Sequence, residues 1–573
     1  MSSDANEMAG NEDDAGASPP EWSTPDARST SSDLVTSGDR TRSIMSEVAM
    51  VAVWTVAADL LIFRAQGYFA VAAFFAIALC SLIVVHRLRD DSFADLKQNA
   101  ISRSGNTSAS AWIAAALLII AILRLSWAGS VSTSLAAAFV FIALALSLSG
   151  WLPTLSRIVT MILFGPFFGA DRLPQLQRLP SANRASASPS QLLAVLMPLV
   201  AVVVFGGIFV LANPDLVDRV SDWMSRFSER LLDFFSEVSF WELPFCVTAF
   251  FVGIGLLRPL VASSEELLTR LLAKGDPANS VIPESLKDAP TTWYHPARNT
   301  LIALIALFAA YLVFEFKTLW KKDFPDGFYY AGYAHEGAAW LTVALALATL
   351  TLSLIFHARM FCDSRVNRLK TLAWVWSAMN LLLAVAVYNR LWIYVGYNGM
   401  TRMRTVGFFG ITLVLVGFGL VIFKIIRRRS FTWLIQSQLI ALSITVVLYC
   451  LFPVDYVAHR YNAARVANGY LKPSVMIAVK PINDEGVFPL LNLVNHPDPV
   501  IRDGVHAMLA ERQLAIESYS RDTPWHWHRY QYSKTLLYQR LDAEKLKWAR
   551  YLSEPDARQI AIEQFKDYAM QWY

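Results

Sequence analysis

Tyr388–Arg404 reads YNRLWIYVGYNGMTRMR. It continues an apolar run of helical length, yet it carries Arg390 inside what would be hydrocarbon. It then meets Gly396, Asn398 and Gly399, residues that break helices, and sets Thr401, Arg402 and Arg404 just beyond them. An ionisable residue within a membrane helix is a functional-site hypothesis by default, because an isolated charge there is costly. A break beside it frees backbone groups of the kind that discontinuous helices offer to solutes in transporters.

The rest of the chain supplies the membrane context. Of 573 residues, 55% are hydrophobic and 17% charged, with a mean hydropathy of +0.38; a soluble domain carries about 25% charged residues. Apolar runs near the ~20 residues needed to cross hydrocarbon fall at about 46–64, 67–85, 109–127, 131–150, 190–212, 239–258, 299–319, 335–357, 371–396, 405–425 and 432–452. Leu152–Phe168, interrupted by Pro153, Arg157 and Pro166, reads as a short interfacial or half-inserted helix. The expected fold is all-α: a polytopic transmembrane helix bundle of about 11 spans with a small helical C-terminal extramembrane domain.

Five regions follow. Residues 1–43 are polar and Ser/Asp/Gly/Pro-rich, too poor in apolar content to offset ordering entropy, and are expected to be disordered. They lack the basic start and apolar core of a signal peptide, so the first span is expected to direct insertion. Residues 44–258 form a first transmembrane group, including an interfacial amphipathic helix at 214–238. Residues 259–298 form a cytoplasmic linker, 299–452 a second transmembrane group, and 453–573 the helical C-terminal domain. Within the last, Asp484–Arg512 resembles one helical repeat of the HEAT type around His-Pro-Asp-Pro, a unit that needs neighbours to bury its faces.

Basic residues orient the chain. With the N-terminus inside, Arg87, Arg89, Lys97 and Arg103, then Arg359, Arg365, Arg368 and Lys370, and later Lys424 and Arg427–Arg429, all fall on cytoplasmic connections. An odd number of spans then puts the tail outside. The ionisable residues within or at the ends of spans gather toward the outer face: Arg64, Arg124, Glu242, Glu315, His335, Glu336, Arg390, Arg402 and Arg404.

Arg390, Tyr394 and Tyr397 share a helix face by spacing, and Glu315 and Glu336 are the candidate partners for Arg390. One reading is an inter-helix ion pair that fixes packing, with the aromatics forming an interfacial belt. The other is an outward-facing cavity for an anionic or glycan-bearing ligand. No catalytic, metal or cofactor constellation is expected. There is no H-E-x-x-H, G-x-S-x-G or phosphate-cradling loop. Cys80, Cys246, Cys362 and Cys450 each sit in or at the end of an apolar run without metal or redox spacing. His526 and His528 alone are weak evidence for a metal. The Arg427–Arg429 run reads as a topology signal, so no nucleic-acid partner is expected.

Three ordered segments carry a resemblance: Phe328–Leu341 (FYYAGYAHEGAAWL), Arg390–Arg404, and Phe452–Arg465 (FPVDYVAHRYNAAR). They resemble an uncharacterised family of bacterial multi-pass membrane proteins, known as a domain of unknown function. Its members have Tyr-Ala-Arg-x-Gly, Tyr-Gly-Leu-Thr-x-x-Arg and Asn-x-x-Arg segments. Here His335 stands where the family has Arg, and Asn398 where it has Tyr, with Tyr397 one place earlier. The resemblance covers roughly 300–470 and implies a bacterial cytoplasmic membrane protein with the three segments near one face. The candidate polar site is therefore Glu315, Tyr333, His335, Glu336, Arg390, Tyr394, Tyr397, Asn398, Thr401, Arg404, Asn462 and Arg465.

Expected partners are membrane lipids, an anionic or lipid-linked ligand, and a protein that meets the C-terminal domain. A cell-envelope sensor or scaffold is the leading functional expectation, and a transporter or flippase the alternative. A membrane-embedded transferase ranks last, because the loop between the first two spans is too short to carry the paired acids such enzymes generally place there.

Overall fold

The computed structural model describes residues 47–92, 104–176, 224–225, 239, 241–257, 293–317, 330–356, 360, 363–427, 429–522 and 526–572. Its membrane-type helices are α1 (47–64, ending in the π-turn Asp59–Arg64), α2 (Tyr68–Ser92), α3 (Ser104–Ala128), α4 (Val131–Leu148), α5 (Leu155–Leu176), α6 (Glu242–Leu257), α7 (Tyr294–Glu315), α8 (Tyr330–Ile355), α9 (Val366–Asn398), α10 (Arg402–Arg427) and α11 (Phe431–Leu451). Among the described residues, six of these are long and apolar enough to cross a membrane, and four stretches are shorter apolar helices. The chain is an all-helical, multi-span membrane protein. The expected span at 190–212 and most of the amphipathic stretch 214–238, the tail 1–43 and the linker up to 292 lie outside the described residues.

Two apolar cores organise the bundle. The first is built by α1–α6, with Trp54, Phe75, Phe141, Leu144 and Ile254 at its centre. The second joins α7 to α11 around Leu301, Leu352, Phe356, Trp376 and Val421. Helix α11 belongs to both. Its start adds Leu434 to the second core, while its end adds Val447 and Leu451 to the first. Ser130 and Ser430 cap α4 and α11 by accepting from the Thr133 and Trp433 amides.

Two local expectations need revision. The stretch 152–168 is not cut at Pro166, because α5 runs unbroken from Leu155 to Leu176. A proline removes one backbone bond, and packing against α6, where Gly165 faces Val252, carries the helix through. Arg157 is held locally: one guanidinium nitrogen donates to the Leu152 carbonyl at 2.7 Å, and the group lies over the Trp151 ring at 5.0 Å. Likewise Gly396 and Asn398 do not end α9, which reaches Asn398 and stops only at Gly399, with φ +85°. Backbone in that region suits glycine.

The chain then forms a helical cap: α12 (Val454–Ala467), α13 (Ser474–Ala478), α14 (Asp484–Val487) with a 3₁₀ turn over Phe488–Leu493, α15 (Pro499–Asp522), α16 (Tyr532–Glu544), α17 (Ala549–Ser553) and α18 (Pro555–Met570). No strand occurs among its described residues. Its core centres on the fully buried Trp548 and Phe565, and Gly504 lets α15 close onto the Phe565 ring. Asp498 caps α15 through the Val500 amide (2.9 Å) and accepts from the Tyr568 hydroxyl of α18 (2.6 Å). Burial pushes the Asp498 carboxyl up, but the Tyr568 hydroxyl and the Val500 and Ile501 amides outweigh it and hold the group below its ordinary range.

The cap touches both halves of the bundle at the end shared by the α1–α2, α3–α4 and α9–α10 connections. Gly67 admits the His528 backbone so closely that no side chain could stand there. Gln531 accepts from the Gly129 amide and donates to the Leu125 carbonyl at 3.2 Å. Phe69 meets Trp527 and Tyr530 edge to face, and Trp127 meets Tyr532.

Candidate functional site

Arg390 is 2% exposed and is held by the end of α7. Its Nε donates to Glu315 Oε1 at 2.7 Å, its second guanidinium nitrogen to Glu315 Oε2, and that same nitrogen to the Tyr311 hydroxyl at 3.0 Å. The Tyr311 hydroxyl in turn donates to Glu315 Oε2 at 2.9 Å. Glu315 is 1% exposed, so both charges are buried and answered by a two-pronged pair plus a hydroxyl. Glu315, one of the two carboxylates considered for Arg390, pairs with it. Tyr333, His335 and Glu336 fall in the first turns of α8, and their side chains lie outside the described residues.

Two turns further along α9 the helix stops, and here α12 takes over the loose ends. Asn462, fully buried, accepts from the Met400 amide at 2.6 Å and donates to the Met400 carbonyl at 2.8 Å. Its side-chain amide thus pairs with the backbone as a neighbouring strand would. Arg465 donates to the Gly396 carbonyl at 3.2 Å and lies over the Tyr470 ring at 4.3 Å, while the Tyr470 hydroxyl donates to the Tyr397 carbonyl at 3.0 Å. These bonds occupy carbonyls that a helix end leaves unsatisfied. Gly399 is required for more than its φ: a Cβ there would lie 2.6 Å from Asn462 Oδ1 and 2.9 Å from Pro473 Cβ.

Past the break, Thr401 caps α10 by accepting from the Arg404 amide at 3.3 Å. Arg404, 5% exposed, donates to the Gly399 carbonyl and lies 4.0 Å above the Tyr394 ring. Arg402 makes a two-pronged pair with the buried Asp455 of α12, its Nε donating at 2.6 Å. Asp455 also accepts from the Asn483 amide at 3.2 Å.

The sequence-derived residues therefore divide. Asn398, Thr401, Arg404, Asn462, Arg465, Tyr394 and Tyr397 gather at the break and its α12 clamp. Arg390 and Glu315 form a separate, closed pair deeper in the bundle, and neither lines either of the two cavities at this end. Three contributors went unrecognised in the sequence. Tyr311 is one helical turn before Glu315. Asp455 and His459 lie in the quoted FPVDYVAHR segment, where an acid one turn ahead of a histidine was the available signal. Two further pairs, the exposed Arg64 with the buried Glu242 and the largely buried Arg124 with Glu485, tie α1 to α6 and α3 to the cap.

Two cavities lie where cap meets bundle. The larger, 760 Å³, is bounded by the α1–α2 and α3–α4 connections, the end of α11 and the cap, with Arg124, Arg402, Asp455, Glu485, Arg529 and Lys534 on its wall. Burial pulls the Lys534 ammonium below its ordinary range, and it sits 3.4 Å over the Tyr519 ring. The smaller, 680 Å³, runs from α12 down the first turns of α10. His459 lines it at 4% exposure, with Nδ1 lacking a hydrogen-bond partner among the described residues. Burial lowers its pKa from 6.5 to about 4, so the ring is neutral. Among the described residues, no group of three or more His, Cys, Asp or Glu could hold a metal ion.

Fold and site together define a multi-span helical membrane protein whose broken helix is clasped by a helical cap. The chain belongs to the family described as a domain of unknown function, DUF4153, whose model matches residues 48–477. That match runs through α12 and ends within α13, so Asn462 and Arg465 fall inside the family region and the rest of the cap outside it. No curated protein and no solved structure matches the chain.

Proposed function

We propose that the chain is a cell-envelope sensor or scaffold of the bacterial cytoplasmic membrane, with the N-terminus cytoplasmic and the cap on the outer face. The observation that carries this reading is the use to which the break is put. Backbone groups that a transporter would leave free for solute are instead taken by Asn462, Arg465 and Tyr470. Arg390, the charge best placed to line a path, is closed by Glu315 and Tyr311. A bundle joined to its cap by a clamp is suited to passing a change at the cap into α9 and α10, or to holding a protein partner at a fixed distance from the membrane.

Transport or flipping of an anionic or lipid-linked solute is the second reading, favoured by the cavity beside Arg404. Purified protein in liposomes separates the two. The sensor reading expects no movement of fluorescent anionic lipid or of anionic solute beyond that of empty vesicles. It further expects that Gly67→Val, which denies His528 its seat, raises hydrogen exchange in 454–467 and 526–548 together. Lipid or solute movement that depends on Arg404 would transfer the assignment to a carrier. A C-terminal phosphatase fusion that is active, with a dark green fluorescent fusion, is the expected topology result; the reverse pattern would turn the protein over.

A further inference from the structure

We propose that the 680 Å³ cavity between α12 and the first turns of α10 binds one anionic phospholipid, with its headgroup at the cap and an acyl chain along α10. The inference rests on the sensor reading and deepens it by naming the class of molecule sensed. The two ends of the cavity differ in chemistry. At the cap end stand three cations, Arg402, Arg404 and Lys480, against one carboxylate, Asp455. Arg402 is neutralised by Asp455. Arg404 meets a carbonyl and an aromatic ring, and among the described residues neither it nor Lys480 pairs with a carboxylate. Among the described residues that leaves positive charge without a carboxylate partner, facing a volume well within the ~300–1,000 Å³ of small-molecule sites.

His459 supplies the second observation. It is a polar side chain 4% exposed that lines this cavity, and its Nδ1 has no partner among the described residues. A buried polar atom without a partner is rare and costly. A neutral imidazole can donate to a phosphate oxygen or accept from a glycerol hydroxyl, so a phosphoglycerol headgroup would complete it.

The other end is apolar. Leu391 of α9 lines it together with Val406, Gly407, Gly410 and Ile411, which stand four to nine residues from Arg402 along α10. At ~1.5 Å per residue that carries the cavity roughly 6–14 Å away from the charged rim, a stretch that a free anion would leave empty and an acyl chain would fill. Gly410 keeps this channel open, because a Cβ built there meets nothing within 4 Å.

That open space also provides the test. Gly410→Leu adds a side chain where no neighbour stands and improves helix propensity, so it fills the channel while leaving the fold intact; Val406→Phe, on the same wall, is a second filler. The full chain, purified in detergent, is examined by native mass spectrometry with dihexanoyl-phosphatidylglycerol, dihexanoyl-phosphatidylcholine and glycerol phosphate. One phosphatidylglycerol is expected to remain bound, about tenfold in preference to phosphatidylcholine. Lys480→Ala should remove that preference, and both fillers should lower retention of either lipid. Equal retention by the fillers and the native chain, no headgroup preference, or glycerol phosphate held as tightly as the lipid would each overturn the proposal. Such a result, with hydrogen exchange at the clamp still responding to Gly67→Val, sinks the lipid site and leaves the sensor reading standing.

Discussion

Asn462 holds Met400 by both of its backbone polar groups, accepting from the amide at 2.6 Å and donating to the carbonyl at 2.8 Å. One side chain of the cap thereby replaces the hydrogen bonds that α9 and α10 give up between Asn398 and Arg402. The pair makes the break a joint between two parts of the molecule, and it explains how an irregular backbone segment is tolerated at the edge of a membrane bundle.

Replacing Asn462 by Ala should leave the amide and carbonyl of Met400 unpaired in a buried place, at a cost of about 1–3 kcal/mol. Asn462→Asp keeps the acceptor and loses the donor, so it should fall between Ala and the native residue. Thermal unfolding in detergent, followed by tryptophan fluorescence, measures the order. An Ala variant as stable as the native chain would remove Asn462 from the joint.

Arg390 and Glu315 should show strong coupling. Breaking a buried pair strands the remaining charge and typically costs about 3–5 kcal/mol, whereas replacing both partners by apolar residues is often nearly neutral. Arg390→Met and Glu315→Met alone should each be severely destabilising, and the double variant milder than either. Arg427→Ala, which removes an exposed guanidinium lying 5.9 Å from the Phe423 ring, should change little. A double variant that merely sums the single losses would contradict a closed pair.

His459 gives the clamp a pH dependence with a defined sign. Burial holds its folded pKa at about 4, with Asp455 opposing and Arg402 adding to the shift. The unfolded ring titrates near its ordinary 6.5. Between those values the unfolded chain binds a proton that the folded one refuses, so stability falls as pH drops from 6.5 toward 4 and carries no such loss above 6.5. His459→Gln should flatten the decline in melting temperature across that window relative to the native chain. Identical slopes would show that other groups set the acid response.

The amino-acid sequence by itself determined that this is a multi-span helical membrane protein with a helical C-terminal region, because span length and hydropathy are local properties of the chain. It also marked the α9–α10 break, since Gly399 is the residue able to take φ +85° there. Tertiary structure alone decided how the polar residues were distributed. Arg390 chose Glu315, 75 positions away, and Arg124 reached Glu485, 361 positions away, because a buried charge must find its partner wherever folding brings one within reach. No spacing rule encodes such distances. The same holds for the joint itself: Asn462 meets Met400 only after α10 and α11 have crossed and returned, so the residues that read as an open site became the clasp that closes it.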